Sequence, residues 1–512
     1  MRFYKSILMN LVVSFLIVSN CGLPAHAGPK RKHVSQEQEA SNKRPNTTTE
    51  LGFCTSANTL PTCGGIFSGG SKAVLAHLLS FLEQSEAISA SQVTKGSTAA
   101  FREHLRLTRS LIIKPGQSVD QVLKAYAIRG NQLRNLDVRG LRVSDNDLSI
   151  IAAHFSHMIN LNLSGNRTIS AKGFAHLAGL TNLKILNLEG TIIGDAGLAH
   201  LAPLTKLQNL NLQETDITDV GLAHLAPLTQ LQNLNLMETT FTGKGLKHLT
   251  HISQLQSLNL QDTAVELVHL ALLTQLQFLN LQNTQITDAE LAYIAPLTQL
   301  RELNLSYNSN LTDEGLAHLA PLTQLRKLNL SYNSDLTDEG LAHLAPLTQL
   351  TELNLSSEER DEDEGFTDEG LASLAPLIQL QSLFLEHAQI SNKGLKHLAL
   401  FPQLTNLDLS HNTKITNKGL KHLIHVPRLQ KLNLDENKIT DSGLAHLSPL
   451  TQLTDLVLSY ATITDQGLDY LAPLSQLKFL NLDATDVTDS AIEAFIAARK
   501  KLVPSISIYK QF

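Results

Sequence analysis

Leu207 to Gln230, LQNLNLQETDITDVGLAHLAPLTQ, is one copy of a unit that recurs from about Leu133 to the C-terminus, and this recurrence limits the chain to a stack of like modules. With the first apolar strand position as phase marker, copies begin at Leu133, Met158, Leu183, Leu207, Leu231, Leu255, Leu276, Leu300, Leu325, Leu350, Leu380, Leu404, Leu429, Leu453 and Leu477, and a partial unit starts at Leu502. The steps are 24 or 25 residues except for 21 after Leu255 and 30 after Leu350. Within a unit, Leu207, Leu210 and Leu212 spell a short strand, and Ile217 carries the apolar face around a bend. Thr218 can then cap a helix with Asp219 in its positive first turn. Leu222, Leu225 and Ala226 share one helix face, and Pro227 ends the helix. A strand and two helical turns cannot bury their own leucines, so the units must stack.

The L-x-x-L-x-L-x-x-[NT] pattern resembles the leucine-rich repeat family over roughly three quarters of the chain. Its GLAHL helix segment looks like the GALA-type repeats of bacterial effectors and those of F-box/leucine-rich proteins. The resemblance implies an α/β solenoid: a curved horseshoe with a parallel sheet on its concave face and short helices on its convex face. Strands ~4.8 Å apart would give sixteen or so of them an inner arc on the order of 70 Å. Helices want ~8–10 Å between axes, so the stack has to bend.

Before the repeats, Met1 to Ala27 reads as a secretory signal. Arg2 and Lys5 precede an apolar run from Ile7 to Val18, and Ala25-His26-Ala27 offers a cleavage site. Cys21 leaves a lipoprotein reading open, and an uncleaved anchor is the other alternative. No other stretch approaches membrane-spanning length, so no stable span is expected after cleavage. The chain is therefore expected in the periplasm or the medium, with delivery into a host cell as a further possibility. Residues 28–70 are polar and read as a flexible linker; Lys30-Arg31-Lys32 is a solvated charge run or a small basic address. Cys54 and Cys63 are disulfide candidates in an oxidising compartment.

Val74 to Phe101 is similar to a degenerate F-box. Val74, Leu75, Leu78, Leu79, Phe81 and Leu82 match its first helix, and Val93 lies in the SQVTK that matches its second. The usual leading Leu-Pro is missing, and Phe101-Arg102 stands where Trp-Arg is expected. The resemblance implies contact with the small adaptor subunit of a cullin-type ubiquitin ligase; the alternative is a helical lid on the first repeat. Leu105 to Asn131 reads as an N-terminal cap with a strand at Leu111 to Ile113, a Pro115-Gly116 turn and a helix from Val119 to Ile128. At the other end, a helix from Ser490 to Lys501 precedes a strand through Ile506 and Ile508. The chain thus divides into signal peptide 1–27, linker 28–70, helical segment 71–104, cap 105–132, repeats 133–501 and cap strand 502–512.

Side chains alternate along a strand, so Asn209, Asn211 and Gln213 are expected on the concave face while Leu210 and Leu212 enter the core. The middle outward position is mostly Asn, as at Asn162, Asn187 and Asn211, and reads as a hydrogen-bonded ladder. Phe384 and Asp408 interrupt it. Tyr307, Tyr332, Glu386, His387, His411 and Tyr460 lie around them and are expected to face inward as a partner-binding surface. Earlier in the arc, Glu189, Glu214, Glu238 and Asp262 read as an acidic rim. Ten of the 20 histidines, His200 and His224 among them, form a convex helix column whose spacing is too wide for a metal. The acidic run Glu358 to Gly365 lacks the final Glu of an EF-hand and reads as a partner-facing excursion.

The formal charge of −6 and 5% aromatics give no sign of nucleic-acid binding. Phosphate-loop, zincin and serine-hydrolase motifs are absent from the sequence, so neither catalysis nor a cofactor or metal is expected. What remains is a monomeric protein-binding protein, or an F-box-type substrate adaptor of a host ligase.

Overall fold

The computed structural model describes residues 110–127, 133–358, 365–499 and 506–510. All of them fall in the second of two compact units, Arg109–Phe512. The signal sequence, Cys54 and Cys63, and the F-box-like residues Val74, Leu75, Leu78, Leu79, Phe81, Leu82 and Val93 lie outside the described residues, as does most of the acidic run at 359–364.

A single sheet of 17 strands runs through the described unit, from β1 (Ser110–Ile112) to β17 (Ser507–Tyr509). Every strand pairs in parallel with its neighbours in sequence, and the register keeps like repeat positions side by side: Leu186, Leu210, Leu234 and Leu258 form one column. The expected alternation holds, with Leu210 2% and Leu212 0% exposed. The named strands are three residues long, but the ladder continues past them. In β5 (Asn209–Asn211) the following Leu212 N–H donates to Asn235 O at 2.9 Å, and Glu214 N–H donates to Met237 O at 3.0 Å.

The return segments are tighter than simple α-helices. Asp219–Leu222 is one α turn that passes into a 3-10 turn, Ala223–Leu225, and the segments Gly243–His251, Leu267–Leu272 and Gly394–Leu400 are 3-10 throughout. Such turns rise more per residue and are slimmer, which lets a short segment span the back of each module. Thr218 caps its helix as expected, accepting from Val220 N. Asp219, in contrast, serves the next repeat: it accepts from Thr242 N at 2.9 Å, Thr242 Oγ1 at 2.7 Å and Gly245 N at 2.8 Å. The same clasp joins Asp195 to Thr218, Asp288 to Thr312 and Asp313 to Thr337. Glycine follows because the carboxylate occupies the space a Cβ would need; on Gly340 it would stand 2.2 Å from Asp313 Oδ1.

A second stitch runs through the core beneath the strand ends. Asn308 is fully buried, and its Nδ2 donates to Leu281 O and Leu305 O at 2.8 and 2.9 Å while its Oδ1 accepts from Thr284 N at 3.1 Å. Asn166, Asn333 and Asn412 do the same. Where threonine takes that place, as at Thr191, the hydroxyl reaches only the carbonyl three residues back, so these repeats lose the cross-link.

Both caps form. Helix α1 (Val119–Ala127) buries Val119, Val122, Leu123 and Tyr126, and β1 extends the sheet one strand before the first full repeat. At the far end, the helix Asp489–Arg499 finishes on Arg499, a basic last turn that is buried instead of solvated, at 3% exposure. Its guanidinium donates to the carbonyls of Leu471 and Ala472 at 3.1 Å each and to Leu474, and lies 4.9 Å over the Phe495 ring. Leu471 O and Leu474 O already accept from Leu474 N and Leu477 N at 3.1 Å each, so the cation is a second donor to them and draws the end of the preceding helix and the turn after it onto one group.

Each strand end turns sharply, and this turn decides what the rim can carry. With Leu207 as position one, position eight has a positive φ in fourteen of the fifteen repeats: Gly140, Gly165 and Gly190, then Glu214, Glu238, Asp262, Asn283, Tyr307, Tyr332, His387, His411, Glu436, Tyr460 and Ala484. Ser357, which leads into the long repeat, is the exception. A residue with a Cβ in that region costs about 1 kcal/mol relative to glycine.

Gly340→Ala should lower stability by about 1–3 kcal/mol, because the carboxylate of Asp313 must leave its hydrogen bonds to make room. Val220→Ala, on the exposed helix surface, should stay within about 0.5 kcal/mol; denaturant titration of both variants checks the contrast. Ala484→Gly should raise stability by up to about 1 kcal/mol by relieving the φ of 51°, and Ala484→Val should lower it, as read by thermal melts.

Candidate functional site

The expected concave asparagine column is hydrogen-bonded along the sheet. Asn211 Oδ1 accepts from Gln213 N at 3.1 Å, capping its own strand, and Asn211 Nδ2 reaches back to Glu189 Oε2 at 3.2 Å. Asn235, Asn280 and Asn304 repeat the reach toward Gln213, Gln261 and Gln282. Asn187, Asn211, Asn235 and Asn259 of this column line an open groove of about 410 Å³. Part of the acidic rim is spent on the same scaffold, since Asp262 accepts from Asn283 Nδ2 at 2.7 Å and from Gln261 Nε2 at 2.9 Å.

The eight residues expected as one inward-facing surface separate into two sets. Phe384 ends β12 (Ser382–Phe384) and Asp408 ends β13 (Asn406–Asp408), in register with each other on the sheet, and Glu386 follows two residues after Phe384. Tyr307, Tyr332, His387, His411 and Tyr460 are all at position eight, on the left-handed turn past the strand ends, so they crown a rim instead of lining the sheet. Strict alternation would send position eight to the core side with Leu210 and Leu212, and the left-handed φ is what turns it out to the rim.

In-register stacking brings like residues of neighbouring repeats together on this rim. The Tyr307 and Tyr332 rings stack with centroids 4.5 Å apart and 15° between planes. His387 and His411 stack at 4.2 Å and 16°. Both separations approach the strand spacing of a sheet, which is why identical residues at one position meet face to face. Tyr460 lies farther along the rim and is 59% exposed.

Around the histidines the structure gathers carboxylates that the sequence reading did not single out. His411 Nδ1 is 3.3 Å from Glu436 Oε2, and its Nε2 is 3.9 Å from Asp435 Oδ2. Asp435 and Glu436 occupy positions seven and eight of the repeat after His411, so strict phase alignment was the available signal. Glu386, His387 and His411 each place a ligand-capable atom within 4.8 Å of the others. The metal-capable group among the described residues is therefore on this rim, where the sequence suggested none, and not on the convex histidine column.

Electrostatics single out the same patch. Burial raises the Glu386 carboxyl above the ordinary range, with Asp408 adding to the effect and His411 opposing it. Burial likewise raises Asp435, against a hydrogen bond from Ser459 and the charge of His411. Burial, and then Glu386, raise the Tyr332 phenol, which ties the tyrosine stack to the carboxylate cluster. Asp408 is held structurally, accepting from Ser410 N at 2.9 Å and Asn433 Nδ2 at 3.0 Å.

Comparison with known proteins agrees with this construction. A model described as "Leucine Rich repeats (2 copies)" matches residues 274–320, and one described as "Leucine Rich repeat" matches 179–202, 204–226, 322–345, 402–423, 427–448 and 450–472. No curated protein matches the sequence significantly. Among solved structures, the chain is similar to a leucine-rich repeat protein of Leptospira interrogans at 21% identity, with 78% of this chain and 100% of that one covered and a TM-score of 0.51. It is also similar to an internalin from Listeria monocytogenes at 24% identity, over 78% and 94% of the two chains, with a TM-score of 0.44. No helix among the described residues is long and apolar enough to cross a membrane. Parallel register, buried leucine columns and the matched repeat models agree on a leucine-rich repeat solenoid fold for the described unit.

Proposed function

We propose that the chain is a non-enzymatic binding protein that seats a protein partner on its concave sheet and on the rim at the strand ends. One observation carries this reading: eleven rim turns hold a residue with a Cβ where the first three repeats use glycine, and ten of those eleven are acidic, amide or aromatic side chains. A Cβ there costs about 1 kcal/mol of backbone strain and joins no hydrophobic core, so, Asp262 and Asn283 with their mutual hydrogen bond apart, the fold alone gives no reason for these residues. Exposed tyrosines beside polar groups are the side chains that anchor protein interfaces. The N-terminal signal sequence supports export, with the periplasm, the medium or a host cell as destinations. The acidic residues at Glu214 and Glu238 would favour a basic partner surface toward the first half of the arc.

A second reading rests on the sequence from Val74 to Phe101 and on the GALA-like helix segments. There the first helix would hold the small adaptor subunit of a cullin-type ubiquitin ligase and the horseshoe would present the substrate.

Proximity labelling with the full chain identifies the partner. Tyr332→Ala and Phe384→Ala should then each weaken its binding about tenfold or more, while Tyr460→Ala does so only if the interface reaches that far. The melting temperature of Tyr332→Ala should fall by no more than a stacked pair is worth, about 1 kcal/mol; a larger loss would mark the rim tyrosines as structural. For the adaptor reading, pulldown with the adaptor subunit should retain the parent chain and lose Leu78→Asp. Absence of binding by the parent leaves the plain binding protein.

A further inference from the structure

We propose that Glu386, His387 and His411 form a binding site for one divalent transition-metal ion of the Zn²⁺ class, which bridges two adjacent repeats at the rim. Three features of the geometry converge on it. The ligand-capable atoms of these residues already lie within 4.8 Å of one another. Ligand atoms ~2.0–2.2 Å from an ion at the centre of a tetrahedron stand ~3.4 Å apart, so the set must close by up to ~1.4 Å to hold it. The half-exposed side chains supply that motion when the stacked rings fan open, because the backbones beneath them are fixed. His387 N–H donates to Ser410 O at 3.2 Å, and His411 N–H donates to Asp435 O at 2.9 Å.

The surroundings of His411 have the form of an outer coordination shell. With Glu436 Oε2 3.3 Å from Nδ1, that nitrogen carries the proton and Nε2 is left as the coordinating atom. Asp435 Oδ2, 3.9 Å from Nε2, stands where a fourth ligand would be, and Asp435 Oδ1 is a buried oxygen with no hydrogen-bond partner. Two carboxylates converging on one imidazole are over-supplied for a simple ion pair. A cation shared by Glu386, Asp435 and both imidazoles would use them. The donor set of two imidazoles with carboxylate oxygen, without thiolate, suits Zn²⁺, Co²⁺ or Ni²⁺ and not Ca²⁺ or Mg²⁺, which take oxygen ligands. Both histidines also sit at left-handed φ, 53° and 57°, where asparagine or glycine would be easier to place.

The site stands apart from the partner-binding proposal, because it is tested on the chain alone. The full-length protein, stripped with a chelator and carrying Cys21→Ser, Cys54→Ser and Cys63→Ser to silence the thiols, is titrated with Zn²⁺ by calorimetry and with Co²⁺ by visible absorption. His387→Asn and His411→Asn are the test variants, since asparagine tolerates the left-handed turn and preserves the fold. His200→Ala with His224→Ala, on the convex column, is the control. One Zn²⁺ per chain is expected at the rim, weakened at least ~10-fold by either rim variant and unchanged by the convex pair. The Co²⁺ ligand-field bands should disappear in the rim variants, and melts should confirm that every variant is folded. Absence of saturable binding in the parent, or rim variants that bind as the parent does, would overturn the assignment.

Discussion

Parallel, in-register pairing of each strand with the next copy of itself is the constraint on which the rest of this structure depends. Once Leu210 sits beside Leu186 and Leu234, every other position of the repeat is also placed beside its own counterpart, from the buried asparagines to the rim. A residue choice is therefore made many times over. Leucines multiply into a continuous core and asparagines into hydrogen-bonded columns, while like charges and like rings become forced neighbours. Stability in such an array is a sum of module and nearest-neighbour terms. The joints between modules then matter as much as the modules themselves.

Those joints are largely polar. The clasp from Asp219 to Thr242 and Gly245 satisfies a helix start in the next repeat, and Asn308 satisfies two carbonyls and an amide across the layer beneath the strands. Both are charge-assisted or buried, where an unmade bond costs about 1–3 kcal/mol. They also explain composition: the aspartate, threonine and glycine of T-D-x-G-L form one cross-module contact, in which asparagine stands in for aspartate at Asn392 and Asn417 and serine for threonine at Ser170 and Ser391. Arg499 follows the same logic, as a cation that donates to carbonyls at the end of the helix before its own.

The rim is where these rules are relaxed. Scaffold positions carry the residue that minimises local cost, whereas the turn at position eight carries tyrosine, histidine and glutamate at a φ that glycine would accept freely. Stacking recovers part of the strain at Tyr307 with Tyr332 and at His387 with His411. It recovers none at Glu214 and Glu238, where like charges are neighbours. Stability has been given up along one edge of the solenoid, in the places where side chains meet solvent or whatever docks there.

The repeat period, the alternation of leucine with polar residues, the T-D-x-G-L helix start and both caps were legible in the residues. The repeat features are local patterns that recur along the chain, and burial demands only one face for them. The sequence also named Phe384 and Asp408 as breaks in the asparagine column, with Tyr307, Tyr332, His387 and His411 facing inward around them. Glycine at the same position of the first three repeats was the local signal for the left-handed turn that carries these four residues. The tertiary structure alone decided that Asp219 serves the following module, that Glu386, His387 and His411 converge, and that Asp435 and Glu436 close around the imidazole. Those are contacts between residues some two dozen positions apart, fixed by the pairing register and by the tightness of one turn, and a single chain of letters carries neither distance.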